Sequence, residues 1–477
     1  MISDLHFSWL EGAILCPLVG AAFVATLRDS HLARKWCLLF SGLTLLCTVG
    51  AGLDFQISQA AEADDPWHLV SRIFGRELLL IDQVSAPLLP LVALLYFLTQ
   101  IATVRTKVER FPFASSLLSE AVLLATYSCK IPWGIVALMA LGTILPGLEM
   151  RSRRRPSQIY WTYMALFVGL LCAGLYYLER AEPNSTEANW AALVLGVALL
   201  IRSGIAPFHS WLPDLFDRAT FGTALLFVTP MVGAYGIVRL LVPIAPDWLL
   251  HTLAVFAIVS ALYGASLALI QREARRFFSY LFLSTAALVV TGLSNMSHHG
   301  LTGGLCVWLS LAISLGGLGL TLRALESRRG RLSMEKFQGL YNHTPNLAMC
   351  YGLTALAAVG FPGTFGFVGS ELLVDATVES HPYVGIIVVL ATTINGIAVV
   401  QTFFRLFGGA PYLTSVSFQI RTRERYAVLL LAAVVFIGGL LPQPIVASRS
   451  RAAEEILRQR LPADQPEQAH DAVAIGK

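Results

Sequence analysis

The chain has 477 residues, of which 56% are hydrophobic and only 13% are charged, and its mean hydropathy is +0.66. A soluble globular protein carries about 25% charged residues. This composition excludes a soluble protein and indicates an integral membrane protein. The net charge of +4 is small, and we predict no nucleic-acid partner.

The chain lacks the residue patterns of a redox or metal centre. Its seven cysteines are scattered singly, without CxxC or ferredoxin-like spacing, so an iron–sulfur cluster or zinc site is not expected. The histidines fall near segment ends or in loops, which does not fit a haem held between helices. No Walker, GxGxxG, HExxH or GxSxG motif is present. We predict a non-catalytic chain with no cofactor, no metal site and no redox centre of its own.

A helix needs about 20 apolar residues to cross the hydrocarbon core of a bilayer. On this template the sequence predicts an all-α polytopic membrane protein with about fourteen transmembrane helices. The first apolar run lacks a preceding basic region, so we interpret it as a span and not as a cleavable signal peptide. The predicted spans lie near residues 8–27, 36–54, 84–104, 112–129, 132–150, 158–178, 190–206, 221–243, 249–271, 277–295, 301–322, 345–378, 384–407 and 426–445.

Basic residues concentrate in the connections that follow odd-numbered spans, as in the run Arg153-Arg154-Arg155 after span five. The even-numbered connections are poor in lysine and arginine, and the second is acidic. Under the positive-inside rule the odd-numbered connections are cytoplasmic. We therefore predict a multi-pass protein of the cell inner (plasma) membrane with both termini on the outer side.

Two of the predicted spans are interrupted. The first, near 190–220, breaks within residues 207–214, and the second, within 345–378, breaks at 360–366. Corresponding helices that are broken in two halves of a chain are typical of inverted repeats around an ion path. The breaking elements are Pro207, His209, Pro213, Asp214, Pro362 and Gly363.

This pattern predicts five segments. A first part contains transmembrane helices 1–3, and two repeats follow, each with one broken helix. The last transmembrane helix and a polar C-terminal tail complete the chain, and the tail is expected to be a short surface helix followed by disorder. The predicted bounds are 1–110, 111–243, 244–408, 409–446 and 447–477.

Three ionisable residues inside the predicted spans are candidate ion-path residues: Arg202, Glu371 and Glu120. By default such residues mark ion pathways in membrane proteins. Structural roles are the alternative. Arg202 could reach the cytoplasmic interface or pair with a carboxylate, and Glu120 could be a buried packing acid. His209 and Asp214 could cap the interrupted helix ends.

Residues from about 81 to 445 resemble the antiporter-like subunits of complex I and the Mrp-type cation antiporters, most closely those of the chain M type. The resemblance implies a fourteen-helix fold with two inverted five-helix repeats, in a complex whose redox or other chemistry lies in partner chains. The matching motifs are Ile81-Asp82 with Ser85 and Pro87, the block 207–214, Ala234-Tyr235-Gly236 with Arg239, Tyr263-Gly264-Ala265, Arg275-Arg276 with Ser279-Tyr280, Gly360-Phe361-Pro362-Gly363-Thr364 with Phe367-Val368-Gly369, and Pro442-Gln443-Pro444-Ile445.

The family's proton-handling residues map onto this chain with repeated departures. The lysine of the first broken helix falls on Arg202, which keeps charge but cannot release its proton as a tuned lysine does. The acid of the second broken helix falls on Ser370, one residue before Glu371. The paired glutamate, the bridging lysine and two histidines of the family fall on Ala140 or Leu141, Met231, Thr285 and Leu311.

The resemblance thus implies a membrane subunit of a multi-subunit proton- or cation-translocating complex with a partly degenerate central proton path. Its implied partners are other membrane subunits, the lipid bilayer and a peripheral redox module. An alternative is the membrane partner of a two-component inorganic-carbon (bicarbonate) uptake system, which works with a soluble zinc-binding protein. A further alternative is a non-conducting structural subunit that docks its neighbours.

Overall fold

The computed structural model describes residues 2–58, 60–68, 72, 78–103, 111–183, 185–410 and 422–460, and most of these residues are helical. The chain forms two compact units. Residues 1–155 and 222–230 contribute to the first unit, and residues 156–221 and 231–477 to the second.

The first unit combines apolar helices with a small sheet. Strand β1 is parallel to β2, with Ile2 opposite Glu62, and β2 is antiparallel to β3, with Ala63 opposite Ile81. The elements are β1 (Ile2–Asp4), α1 (Trp9–Thr26), α2 (Ser30–Ser58), β2 (Glu62–Asp64), β3 (Ile81–Asp82), α3 (Leu88–Ile101), α4 (Phe113–Ser128), α5 (Pro132–Ser152) and, apart from its first residue, α9 (Phe221–Val228).

In the second unit, helices α12 and α13 lie at the centre. The most apolar window of α12 is 94% buried and that of α13 is 89% buried, as expected for helices that are apolar on all sides. Helix α11 packs on α12, and α15 packs on α13. The elements are α6 (Gln158–Leu178), α7 (Thr186–Ser203), α8 (Trp211–Arg218), α10 (Val232–Gly236), a π-helix (Ile237–Leu241), α11 (Asp247–Ile270), α12 (Ala274–Ser294), α13 (His298–Arg329), α14 (Pro345–Ala358), α15 (Phe365–Ser380), α16 (Pro382–Phe407), α17 (Thr422–Leu440) and α18 (Gln443–Arg460).

Each of the fourteen predicted segments coincides with helix in the structure. Nine helices among the described residues are long and apolar enough to cross a membrane, and α3 is a shorter apolar helix of 14 residues. Both predicted helix breaks are confirmed, because α7 ends at Ser203 before α8 begins, and α14 ends at Ala358 before α15 begins. The chain is therefore a multi-pass membrane protein.

The predicted span over 221–243 is present as an apolar segment long enough to cross a membrane, but it is not one regular helix. Helix α9 ends at Val228, and the chain turns through Thr229 and Pro230. Met231 adopts the left-handed conformation with φ of +56° before α10 begins. Proline lacks the amide that would continue the helical hydrogen bonds. Its carbonyl accepts a hydrogen bond from the Tyr127 hydroxyl, which satisfies one of the groups freed by the break.

The polar tail begins with helix α18, which agrees with the prediction of a short helix there. One face of this helix, including Ala452 and Ile456, is buried, and α18 packs against α13. The predicted disorder falls on residues 461–477, which lie outside the described residues.

Candidate functional site: two broken helices

The first break lies between α7 and α8. Helix α7 ends because Gly204 takes the left-handed conformation (φ +71°), which glycine adopts without strain. The carbonyl of Ile201, in the last turn of α7, accepts a hydrogen bond from Trp211 Nε1 at 2.9 Å. The first residue of α8 therefore caps the end of α7 and holds the interruption in one geometry.

Arg202 lies in the last turn of α7 and is only 5% exposed. Its guanidinium carbon lies 6.0 Å from the ring centroid of Trp211, and it interacts electrostatically with the buried Tyr160. The structure therefore places Arg202 inside the protein, and its role in an ion path stays a prediction. A guanidinium held against aromatic rings is a fixed cation, because it does not deprotonate in proteins.

The other predicted residues of the first break are divided between the break itself and the start of α8. Pro207 and His209 lie in the break itself, whereas Pro213 and Asp214 lie in the first turns of α8. The hydroxyl of Tyr263 lies 3.3 Å from His209 Nε2. Since Ser210 occupies the N-cap position and Asp214 pairs with Arg218 at 2.7 Å, Asp214 stabilises the first turn of α8 from within.

The second break lies between α14 and α15, where Gly360 (φ +71°) and Gly363 (φ +89°) interrupt the helix on either side of Pro362. Helix α15 begins at Phe365, so Glu371 lies almost two turns inside a regular helix. Its side chain is exposed at the surface of the chain. Ser370, the preceding residue, lines the cavity beside the break instead.

Glu120 lies in α4 of the first unit and is fully buried. The hydroxyl of Ser41 donates to Glu120 Oε1 at 3.0 Å, and the side chain of Gln100 contacts the same carboxyl group. Gln100 also donates to Ser116 Oγ at 3.3 Å. Glu120 is thus part of a buried polar network, while Arg202 and Glu371 belong to the other unit.

Sequence reasoning missed three polar features. Asn395, in the middle of α16, is 1% exposed and lines the same cavity as Ser370; an asparagine inside an apolar run was the available signal. Arg275 forms an ion pair with Glu326 at 2.5 Å, with both side chains largely buried. Asp65, which follows β2, accepts hydrogen bonds from the backbone amides at the start of α1.

Burial raises the pKa of Asp65 to about 6, although two hydrogen bonds from the amides of Glu11 and Leu10 oppose this shift. Repulsion from the carboxylates of Glu11 and Asp64 adds to the rise. Within the described part of the chain no group of three or more histidine, cysteine, aspartate or glutamate side chains is placed to hold a metal ion.

Comparison with known proteins defines the class. Residues 160–395 match the family described as NADH:quinone oxidoreductase/Mrp antiporter, transmembrane. A chain of respiratory complex I from Thermus thermophilus has the same fold, with a TM-score of 0.82 and 22% identity over 95% of this chain and 100% of that chain. The chain resembles this antiporter-like family in sequence and shares its fold with the solved complex I chain.

Named relatives then specify the type within the family. The chain is 25% identical to F420H2 dehydrogenase subunit M of Methanosarcina mazei, over 93% of this chain and 97% of that protein. It is 27% identical to NADH-quinone oxidoreductase subunit M of Mycobacterium tuberculosis, over 64% of this chain and 56% of that protein. The chain therefore resembles membrane subunits of the chain M type.

Proposed function

We propose that the chain is an ion-translocating subunit of a multi-subunit complex in the cell inner membrane, with a partly degenerate central proton path. The observation that carries this proposal is Arg202, a buried cation at the end of a helix that is interrupted immediately afterwards. A charge and an interrupted backbone inside a membrane protein are tolerated where they line a pathway or a cavity. Both features occur together at this break.

In this proposal Arg202 and Glu120 are the buried ionisable residues of the ion path. Arg202 stabilises negative charge or repels cations near the first break, because its own proton stays bound. Glu120 can bind and release a proton, and the serine and glutamine around it can relay one. Glu371 acts differently: its exposed carboxyl group becomes part of the path where a neighbouring subunit covers α15.

The fold proposal is that the chain spans the membrane fourteen times, with two inverted repeats at 111–243 and 244–408. The coincidence of all fourteen predicted segments with helices supports this count. Basic connections after odd-numbered spans support an orientation with both termini on the outer side. The partners are other membrane subunits and a peripheral redox module.

The test uses the intact complex reconstituted in liposomes, with ion flux measured by a pH-sensitive dye. Arg202→Met and Glu120→Gln are expected to lower the ion flux at least about tenfold, because each replaces a buried ionisable side chain of the proposed path with one that cannot ionise. Glu371→Gln is expected to lower it as well. Arg180→Gln and Glu379→Gln replace exposed residues of the same types and serve as matched controls with unchanged flux.

Unchanged flux in all three variants, in complexes that still assemble, would support a non-conducting structural subunit instead. Identification of the co-purifying chains distinguishes the two possible partners. Subunits of a redox module support the proposal, whereas a large soluble zinc-binding protein would assign the chain to inorganic-carbon uptake.

A further inference from the structure

The first unit contains a cavity of its own, bounded by α3, α4, α5 and α9. It has about 410 Å³ of unfilled space that is partly open to the outside. Its lining combines apolar side chains with the hydroxyl groups of Tyr96, Ser115, Ser119 and Thr223. Glu149 of α5 is the one charged side chain among the described residues of this lining. A single carboxylate in neutral surroundings is stable only with a positively charged or hydrogen-donating partner.

The protein itself satisfies this carboxylate only in part. The side chain of Glu149 is 8% exposed, and Arg153 Nε lies 2.9 Å from its Oε1. The second oxygen, Oε2, is buried and accepts no hydrogen bond within the described part of the chain. An ionised carboxylate can accept several hydrogen bonds, and those from cations are the strongest. Because Glu149 lines the cavity, a cationic donor that enters the cavity can complete its coordination.

The cavity lies at the depth of lipid headgroups. Helix α5 has 21 residues, about the number that crosses the hydrocarbon core of a bilayer. Glu149 lies in the last turn of α5, Pro112 directly precedes α4, and Thr223 lies in the first turn of α9. All three residues line the cavity. The cavity therefore reaches the helix ends, where the hydrocarbon gives way to headgroups.

Positive charge follows Glu149 directly along the chain. Arg151 lies in the last turn of α5, and Arg153, Arg154 and Arg155 follow the helix; all four are exposed. The positive-inside rule assigns this connection to the cytoplasmic side, where clusters of basic residues next to a transmembrane helix attract lipid phosphate groups. A buried carboxylate and an exposed basic segment thus lie about one turn apart.

An exposed apolar face of α5 adjoins these charges. Leu141, Ile144 and Leu148 are 46%, 38% and 49% exposed, and their spacing of three and four residues places them on one face of the helix. Exposed apolar surface of this kind marks contact with a membrane or a partner. The carboxylate, the basic segment and the apolar face together match the amine, the phosphate and the acyl chain of one aminophospholipid.

We propose that this cavity binds the headgroup of phosphatidylethanolamine. The ammonium group donates to Glu149 Oε2, the phosphate lies against the exposed arginines that follow, and an acyl chain lies along the apolar face of α5. An ammonium group has three N–H donors. The trimethylated nitrogen of phosphatidylcholine has none, and phosphatidylglycerol has no cationic group. The inference goes beyond the proposed function and does not depend on an ion path.

The experiment uses the purified complex in phosphatidylcholine nanodiscs with photoactivatable lipids that carry a diazirine in one acyl chain. The phosphatidylethanolamine analogue is expected to label residues 141–155 at least about tenfold more than the matching phosphatidylcholine analogue, because only its headgroup can donate to the carboxylate. Unlabelled phosphatidylethanolamine is expected to compete, whereas the same mole fraction of phosphatidylglycerol leaves most of the labelling in place.

Glu149→Gln removes the charge with little change in size. It is expected to lower labelling by the phosphatidylethanolamine analogue at least about fivefold, since a charge-assisted hydrogen bond is lost. Glu273→Gln is the matched control, because Glu273 also pairs with an arginine, Arg331 at 3.6 Å, but is 47% exposed. Its labelling is expected to equal that of the unmodified chain.

A variant with both Arg151→Gln and Arg154→Gln separates recognition of the headgroup from damage to the fold. It is expected to lower labelling by the phosphatidylethanolamine and phosphatidylglycerol analogues in equal proportion, since both lipids carry a phosphate. Glu149→Gln is expected to affect the phosphatidylethanolamine analogue alone. Equal losses of both labels in Glu149→Gln would overturn the proposal.

Two other results would also overturn it. One is equal labelling by the phosphatidylethanolamine and phosphatidylcholine analogues, or equal losses in Glu149→Gln and Glu273→Gln. The other is a zero-length cross-link between Glu149 and a lysine of a neighbouring subunit without lipid labelling, because the ammonium group would then come from a protein. Labelling is measured without ion flux, so these results leave the proposed function untouched.

Discussion

The two broken helices of the second unit have similar backbones and opposite surroundings. At the first, Arg202 is buried at the break, and Arg275 holds the end of α8 by donating to the carbonyls of Phe216 and Ala219 at 2.6 and 3.1 Å. At the second, the cavity is lined mostly by apolar side chains, and its polar side chains are hydroxyl groups and one amide without charge. The comparison shows that glycine and proline determine where a helix is interrupted. The side chains around the interruption determine whether it is charged or neutral.

The second break is held by close backbone packing, and disturbing it is expected to have the largest effect. A Cβ at Gly303 of α13 would lie 2.7 Å from the backbone nitrogen of Leu373 in α15. Gly303→Val therefore has to separate the two helices and is expected to cost about 3 kcal/mol or more. The measurement is thermal unfolding of the purified protein, together with its yield.

Gly352→Val is the control for this prediction, because a Cβ at Gly352 in α14 meets nothing within 4 Å. It carries the same gain in helix propensity from the replacement of glycine, without the overlap. Similar destabilisation by both variants would show that the packing of α13 on α15 does not hold the second break.

The first break is held by charge, and the expected effect there is somewhat smaller. Arg275→Gln removes the ion pair with Glu326 and the two bonds to the end of α8. Because these side chains are only 13% and 14% exposed, the loss is expected to be about 2 kcal/mol. Thermal unfolding and protease sensitivity near residues 204–220 would report it.

Arg276→Gln is the matched comparison, since Arg276 pairs with Asp217 at 2.9 Å but is 55% exposed. An exposed pair of this kind contributes under about 1 kcal/mol. If Arg276→Gln destabilises the protein as much as Arg275→Gln, the contrast between a charge-held and a packing-held break is refuted.

The pH dependence of stability should come from Asp65 and not from the residues at either helix break. We expect it to be smaller than the effects of Gly303→Val and Arg275→Gln. Asp65 has a pKa of about 6 in the folded chain, above the value of about 3.9 for an unfolded chain. Its contribution favours the folded state below about pH 4 and is lost as the pH rises through 6. We expect a loss on the order of 1 kcal/mol after partial solvation.

Unfolding temperatures measured between pH 4 and 7 test this prediction. Asp65→Asn should flatten the decline, because the amide does not titrate yet still accepts a backbone hydrogen bond at the start of α1. Asp29→Asn, at a residue with an exposed hydrogen bond to the His31 amide, should leave the slope unchanged. A slope that persists in Asp65→Asn would place the titrating group elsewhere.

Much of the fold could be predicted from the sequence because the requirement for about 20 apolar residues per span is strong. The two breaks were readable for a local reason, namely Pro207 in one and Gly360 with Pro362 and Gly363 in the other. The interruption at Pro230 was missed because the apolar run continues on both sides of it without a charged residue. Its freed carbonyl is satisfied by Tyr127, a partner that is distant in sequence.

The site was less predictable because it depends on rotation and on tertiary partners. Successive residues of a helix point about 100° apart, so the start of α15 at Phe365 decides that Ser370 faces the cavity and Glu371 faces outwards. Asn395 was visible in the sequence, but its orientation follows from Ser284 on another helix, whose hydroxyl accepts from its Nδ2 at 2.8 Å. No local pattern contains that information.

The small sheet of the first unit constrains how the chain can cross the membrane. Strands β1 and β2 pair in register, with Ser3 opposite Ala63, and the two helices α1 and α2 lie between them in sequence. Paired strands lie on the same side of a bilayer, so the sheet requires an even number of crossings between β1 and β2. One crossing by α1 and one in the opposite direction by α2 meets that requirement.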